Sequence, residues 1–240
     1  MSIVSSDIHI LLEDPDFAMI EKPAGLLVHK TTSKNKEEQT LADWVIKTYP
    51  ETGSVGDDPR ARPGIVHRLD KETSGVLLIA RTQAFFEYFK KLLQAKKVQK
   101  MYLALVHGEI KESRTINVPI GLISGKTKRS TRAKKMKMIK EALTEIEPAE
   151  TFHHNNETYS LLRVYPKTGR THQIRVHLAS IGHPVVGDKL YCGKKLESFG
   201  LNRHFLHASS LEFSTSRGRR IKVESDLPEE LQKILNLFVD

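Results

Sequence analysis

The 240-residue chain has one cysteine, Cys192, one tryptophan, Trp44, and no long apolar run. A single thiol makes neither an internal disulfide nor a multi-cysteine metal site, and it points to a reducing, cytoplasmic setting. No hydrophobic stretch approaches the roughly 18 residues of a spanning helix, so no membrane partner is expected. Residues 1–13 mix Asp7, His9 and Glu13 with aliphatics, unlike a secretory signal. Familiar catalytic and cofactor signatures are also missing. The segment from Gly121 to Thr127 has three residues between its glycines where a phosphate-binding loop needs four. There is no Gly-x-Ser-x-Gly elbow and no His-Glu-x-x-His. Eleven histidines are present, but His172 and His177 are five apart, off one helical face. His204 and His207 fall three apart in an expected strand, on opposite faces. Neither a metal nor a cofactor is expected.

Positive charge is what the chain has in excess. Lys and Arg total 38 against 29 Asp and Glu, a net charge of +9. Such an excess favours a polyanionic partner through long-range attraction and counterion release. It is also clustered. Residues 90–100 hold five lysines and no acid. Residues 126–140 hold Lys126, Lys128, Arg129, Arg132, Lys134, Lys135, Lys137 and Lys140, again with no acid. One such run can be a solvated face; two in one chain read as a nucleic-acid footprint.

The apolar pattern predicts an α+β fold. Two short strands lie within residues 11–28 around an acidic turn, and a short helix covers 41–49. The unbroken apolar run 75–80 is a strand buried on both faces. Phe85, Phe89, Leu92 and Leu93 recur at helical spacing, giving an amphipathic helix over 83–95. Further strands are expected at 101–107, 114–119, 160–165, 204–213 and 219–224. Thr171 is placed to cap a helix that stops at Gly182, and a last helix runs from 226 to 238. Strands outnumber helices without regular alternation, so a large mixed or antiparallel sheet with flanking helices is expected.

Two segments carry more charge than structure alone asks for. The first, His67-Arg68-Leu69-Asp70-Lys71-Glu72-Thr73-Ser74-Gly75, packs four charged residues just before a core strand. Charges beside a core must be paired or they cost several kcal/mol. The second places Arg170, His172 and Arg175 around the first turns of a helix. One segment offers a carboxylate and the other offers guanidinium groups.

These segments resemble the signature motifs of the RluA-type pseudouridine synthase family. The first matches the motif that carries the family's catalytic aspartate. Gly169-Arg170-Thr171-His172-Gln173-Ile174-Arg175-Val176-His177-Leu178 matches the later motif, whose basic residue pairs with that aspartate. Glu21-Lys22-Pro23-Ala24-Gly25-Leu26-Leu27-Val28-His29 matches the N-terminal motif, and Lys100-Met101-Tyr102-Leu103-Ala104-Leu105-Val106-His107-Gly108 the motif with the active-site tyrosine. Gly182-His183-Pro184-Val185-Val186-Gly187-Asp188 and Leu206-His207-Ala208 extend the likeness, which covers roughly residues 10–225 in the family's order. Many members carry an N-terminal S4 domain. Here the motifs begin near residue 16, so a stand-alone catalytic domain over 1–240 is expected.

The resemblance implies the pseudouridine synthase fold, with a central cleft, and an isomerase acting on structured RNA, either transfer or ribosomal. Asp70 is then the catalytic carboxylate, acting as a nucleophile at C1′ or as a base at C2′. Tyr102 would stack on the uracil and assist proton removal from C5, and Ile174 would pack beside the ring. Arg175 would pair with Asp70, and Arg68 would fill the space left by the extruded base. Lys126, Lys128, Arg129, Arg132, Lys134 and Lys135 would track RNA phosphates. A monomer is expected. The rival readings are a non-catalytic RNA-binding module on the same fold and a metal-dependent nuclease.

Overall fold

The structure is a computed structural model that describes residues 8–30, 38–123, 128–132, 136–192 and 197–238. Its strands are β1 (His9–Glu13), β2 (Phe17–Lys22), β3 (Ser74–Ala80), β4 (Gln99–His107), β5 (Arg114–Asn117), β6 (Ile120–Ile123), β7 (Arg129–Ser130), β8 (Met136–Lys140), β9 (Leu143–His154), β10 (Glu157–Pro166), β11 (Leu206–Ser214) and β12 (Arg220–Glu224). Its helices are α1 (Leu41–Thr48), α2 (Gln83–Gln94), α3 (Gln173–Ser180) and α4 (Glu229–Asn236). The α+β class expected from the sequence is observed. The chain divides into two compact units, Met1–Gln99 with Ala208–Asp226, and Lys100–His207 with Leu227–Asp240.

In the first unit, β1 and β2 pair antiparallel, as do β2 and β3, and β11 and β12. All seven residues of β3 are buried, as its unbroken apolar run requires. Helix α2 starts at Thr82, whose hydroxyl accepts from Phe85 N at 3.3 Å, and it turns Phe85, Phe86 and Phe89 inward. Phe85 stacks on Phe17 with ring centres 4.6 Å apart, and Phe89 meets Phe213 edge-on at 5.1 Å. This aromatic layer is the heart of a core shared with Met19, Val76, Leu78 and Leu211. Helix α1 opens with a reciprocal capping box: the Thr40 hydroxyl accepts from Asp43 N, and the Asp43 carboxylate accepts from Thr40 N at 2.9 Å.

In the second unit, β4, β10, β9 and β5 form an antiparallel sheet in that order. Its core includes Leu105, Ile146, Tyr159, Leu162, Ile174, Leu178 and, from α4, Leu231 and Ile234. Strand β9 is not among the elements the apolar pattern predicts. Its sequence, rich in glutamate and broken by Pro148, lacks a clean period-two pattern. Pro148 is accommodated because the register of β9 against β10 shifts beside it, between Leu161 and Leu162. A separate ribbon, β7-β6-β8, takes its outer strands β7 and β8 from the basic run and its central strand β6 from the apolar segment before it.

Helix α3 begins later than expected. Its N-cap is His172, not Thr171, in a left-handed conformation (φ 56°) with no side-chain cap. Gln173 compensates: its Oε1 accepts from Arg170 N at 3.0 Å and from the Thr168 hydroxyl at 2.7 Å. Its Nε2 donates to Leu143 O and Thr144 Oγ1, both at 3.0 Å. The helix start is thus pinned to β9 by a buried amide rather than by a capping hydroxyl.

Gly75 marks where the aspartate-bearing loop joins β3. Its φ is +115°, and a Cβ there would collide with the Ala208 carbonyl of β11. Gly75→Ala therefore combines backbone strain with a clash between two strands, and should cost at least about 2 kcal/mol in urea unfolding. A loss below about 0.5 kcal/mol, within ordinary surface scatter, would show that the two backbones part easily.

Candidate active site

The first unit holds the loop of Asp70. His67 anchors its start: ring Nε2 accepts from Leu78 N on β3 at 3.1 Å, while the ring lies 6.0 Å from that of Phe89. A turn follows, closed by Thr73 N donating to Asp70 O at 3.1 Å. The carbonyl of Lys71 accepts from Gly25 N at 2.8 Å and from Lys22 Nζ at 3.1 Å. Lys22 is fully buried, and its ammonium also donates to Pro23 O (2.6 Å) and Leu26 O (2.9 Å). Carbonyl dipoles converging on a buried cation offset part of its lost hydration. The N-terminal motif and the aspartate motif are therefore one body, tied by the Lys22 ammonium and the Gly25 N–H, which both reach the Lys71 carbonyl. Lys71 Nζ extends the tie to Glu38 at 2.5 Å. Asp70 itself is half-buried.

Arg68 is an exposed residue whose guanidinium meets His29, with Nη1 3.3 Å from the ring Nε2. Arginine only donates, so Nε2 accepts and the neutral ring carries its proton on Nδ1. That Nδ1 is buried with no hydrogen-bond partner among the described residues. Burial, followed by the charges of Arg68 and Arg62, pushes the pKa of His29 down to about 4. Burial also lowers the Arg68 pKa, and the Asp70 carboxylate opposes that shift.

The second unit carries the other expected residues. Arg175, on α3, is buried and forks onto the buried Asp188, Nε to Oδ2 at 2.7 Å and Nη2 to Oδ1 at 2.8 Å. Asp188 Oδ1 also accepts from Leu190 N and Tyr191 N, at 2.9 and 3.1 Å. Burial alone would raise the Asp188 pKa; the Arg175 hydrogen bonds and charge outweigh it and hold the carboxyl below its ordinary value. The Arg175 guanidinium sits 5.3 Å from the centre of the Tyr191 ring. His177, on the same helix, is structural: Nε2 faces Val118 O and Nδ1 faces Thr144 Oγ1, both at 2.9 Å. Ile174 is buried in the core of this unit, and Tyr102 packs half-buried against the same core from β4, where it pairs with Val164. Lys100, two residues before Tyr102, lies beside Gly169, and burial pushes its pKa down to about 8.

Of the basic run, Lys128, Arg129 and Arg132 are placed on or beside β7, while Lys126, Lys134 and Lys135 lie outside the described residues. Arg68 and Asp70 thus share the first unit with His29, Lys22 and His67. Tyr102, Ile174 and Arg175 share the second with Asp188 and Tyr191. The sequence alone assigns no role to His29, Asp188 or Tyr191. For Asp188 a usable signal exists: a guanidinium in the first turns of a largely buried helix demands a carboxylate somewhere, and Asp188 closes one of the motifs that extend the family likeness.

Residues 16–180 match the family model for RNA pseudouridylate synthase. The chain is 36% identical to ribosomal large subunit pseudouridine synthase D of Pseudomonas aeruginosa, across 97% of this chain and 72% of that protein. It is 38% identical to an uncharacterized RNA pseudouridine synthase of Chloroflexus aurantiacus, across 91% of this chain and 66% of that protein. The chain therefore spans about two thirds of the length of these relatives. Its fold is similar to that of human RNA pseudouridylate synthase domain containing 1, with a TM-score of 0.74, 24% identity, and coverage of 98% of this chain and 96% of that one.

The state of His29 makes stability depend on pH. The folded protein keeps this ring neutral down to about 4, whereas an unfolded chain protonates it near 6.5. Stability is therefore lost as pH falls below 6.5, and His29 should account for about 2 kcal/mol between pH 7.5 and 5. Urea unfolding of wild type and His29→Gln at both pH values isolates this share. Equal losses in the two proteins would show that His29 is protonated as readily folded as unfolded.

Proposed function

The chain belongs to the RNA pseudouridylate synthase family, isomerases acting on RNA, and we propose that it converts uridine to pseudouridine at one or a few sites of a structured RNA, with Asp70 as the catalytic carboxylate. The observation that carries this reading is the construction of the Asp70 loop. A half-buried carboxylate is mounted on a turn braced by His67, Gly25 and a buried Lys22. Such bracing suits a group that must meet a reacting atom without first reorganising. The names of relatives such as the Pseudomonas aeruginosa protein favour ribosomal over transfer RNA as the substrate.

In this reaction the N1–C1′ bond breaks, the uracil turns, and C5 bonds to C1′; the proton leaving C5 is balanced by one gained at N1. The change is redox-neutral and intramolecular, so it calls for no cofactor. Asp70 serves either as the nucleophile at C1′ or as the base that takes the C2′ proton. Tyr102 is assigned to stacking on the uracil, Ile174 to the apolar wall behind it, Arg175 to the charge balance of the site, and Arg68 to the space vacated by the flipped base. In this reading residues 1–240 act as one catalytic domain, a monomer working in the cytoplasm. A buried Ile174 supports its role only as the backing of a pocket, not as a mobile contact.

Two experiments test the reading. Asp70→Asn keeps size and removes both candidate chemical roles, so pseudouridine formation on transcribed large-subunit ribosomal RNA should fall by at least about 100-fold. RNA affinity should stay within a few-fold of wild type. Turnover near the wild-type rate would remove Asp70 from the chemistry, and a wild type that binds RNA without making pseudouridine would favour the binding-module alternative.

The second concerns the ribbon. Replacing Lys128, Lys137 and Lys140 with Gln should weaken RNA binding and flatten the plot of log affinity against log salt, by about 0.7–0.9 for each phosphate no longer neutralised. An unchanged slope would return the ribbon to the status of a solvated face.

A further inference from the structure

Tyr191 has no part in the roles set out above, yet several interactions in the second unit converge on it. Its hydroxyl accepts from Arg129 N of β7 at 2.9 Å and lies 3.0 Å from Nδ1 of His172, the left-handed residue at the start of α3. Its ring is within cation–π reach of two side chains, Arg175 at 5.3 Å and Lys128 at 5.1 Å from the ring centre. Its own backbone N–H is held by Asp188 Oδ1 at 3.1 Å, the oxygen that also takes Arg175 Nη2. A continuous path of interactions therefore runs from the ribbon backbone through the Tyr191 hydroxyl and ring to Asp188 and the Arg175 guanidinium.

The ribbon needs such an anchor. Strand β7 is two residues long and makes two register pairs with β6, too few to fix its own orientation. The Tyr191 hydroxyl pins β7 directly, and the Tyr191 ring packs against the small core of Ile120, Ala142 and Val176 beneath the ribbon. Arg175 has the converse need. Its fork is satisfied by Asp188, and the Tyr191 ring lies beside the guanidinium, its centre 5.3 Å away, where its face favours the cation.

We propose that Tyr191 is a positioning residue that joins the RNA-binding ribbon to Arg175, so that backbone phosphates gripped by Lys128 and its neighbours and the guanidinium serving the isomerisation are held in one frame. The hydroxyl serves the ribbon; the ring serves Arg175. This inference rests on the pseudouridine synthase reading.

The two functions of the side chain separate by substitution. Tyr191→Phe keeps the ring and removes the hydroxyl. It should raise the Kd for RNA about 5-fold, the value of one hydrogen bond, and leave the single-turnover rate at saturating RNA within about 2-fold of wild type. Tyr191→Leu removes the ring as well, and should in addition lower that saturating rate about 10-fold. A tyrosine that merely fills space would lower the melting temperature and the fraction of active molecules in both variants, with Kd and rate per active molecule unchanged; that result overturns the proposal. If Tyr191→Leu does not fold, Tyr191→Phe combined with Lys128→Gln still decides. With the ribbon unanchored, Lys128 contributes less to binding, so the combined drop in affinity should be smaller than the product of the single effects. A full product overturns the link between hydroxyl and ribbon. Wild type and Asp70→Asn run alongside: a wild type without pseudouridine formation defeats the underlying reading, whereas an active wild type with unaltered Tyr191 variants defeats only this inference.

Discussion

A lysine with no exposed surface governs the arrangement of the first unit. An isolated ammonium taken out of water is far too costly to persist, so the chain around Lys22 must bring oxygen to it. It does so with backbone carbonyls from Pro23, Leu26 and Lys71, the last of them 49 positions away. The demand of one charge thereby fixes two loops. The N-terminal loop cannot relax without stranding the cation, and the turn after Asp70 cannot move without taking away one of its carbonyls. Gly25 adds a backbone hydrogen bond to the same Lys71 carbonyl, and Gly75 lets β3 lie against the β11 backbone. The carboxylate at position 70 inherits its position from these constraints.

The second unit solves the same problem with a different partner. Arg175 is buried to a degree that an unpaired arginine does not tolerate, and Asp188 meets it with a two-point fork. Removing either partner would leave the other as an uncompensated buried charge, which is why such pairs constrain geometry more than they add net stability. Asp188 is itself held by two backbone N–H groups, so the guanidinium is aimed by a rigid acceptor rather than a rotating one. In both units a charged group is made rigid by the cost of leaving it unsatisfied.

Much of this is legible in the residues and some is not. The buried strand β3 and the aromatic helix α2 follow directly from an apolar run and a helical repeat, and their observed bounds differ from the expected ones by one residue. Strand β9 is not legible, because glutamates and a proline mask a strand whose pairing is decided by β10 beside it. The start of α3 is drawn to Thr171 in the sequence because a hydroxyl at a helix start is a strong local signal. The actual device is a buried Gln173 reaching β9, a tertiary interaction that no local pattern encodes. The candidate site residues stand out as motifs, and His29 closes one of them, but the contacts that support them do not: His29 meets Arg68 39 residues away, and Tyr191 meets Arg129 62 residues away. Motifs reveal which groups are charged near a core; only the fold reveals which atoms make those charges tolerable.

The basic ribbon completes the argument from the opposite side. It exposes Met138 and Ile139 as well as its cations, so its own strands bury little apolar surface. Charge alone would repel such a ribbon from itself rather than order it. Its order comes from below, from Ile120 packed with Val176 of α3 and from the Tyr191 hydroxyl on β7. Helix α3 in turn is fixed by Gln173 to β9 and by Arg175 to Asp188. A strongly basic surface is therefore held to the same helix that carries the buried Arg175 guanidinium. The attraction that draws RNA in can act at long range and without specificity, while register along the RNA is set only by groups whose positions do not fluctuate. In the proposed function, the buried Arg175–Asp188 pair supplies that fixed geometry beneath a sequence-blind electrostatic grip.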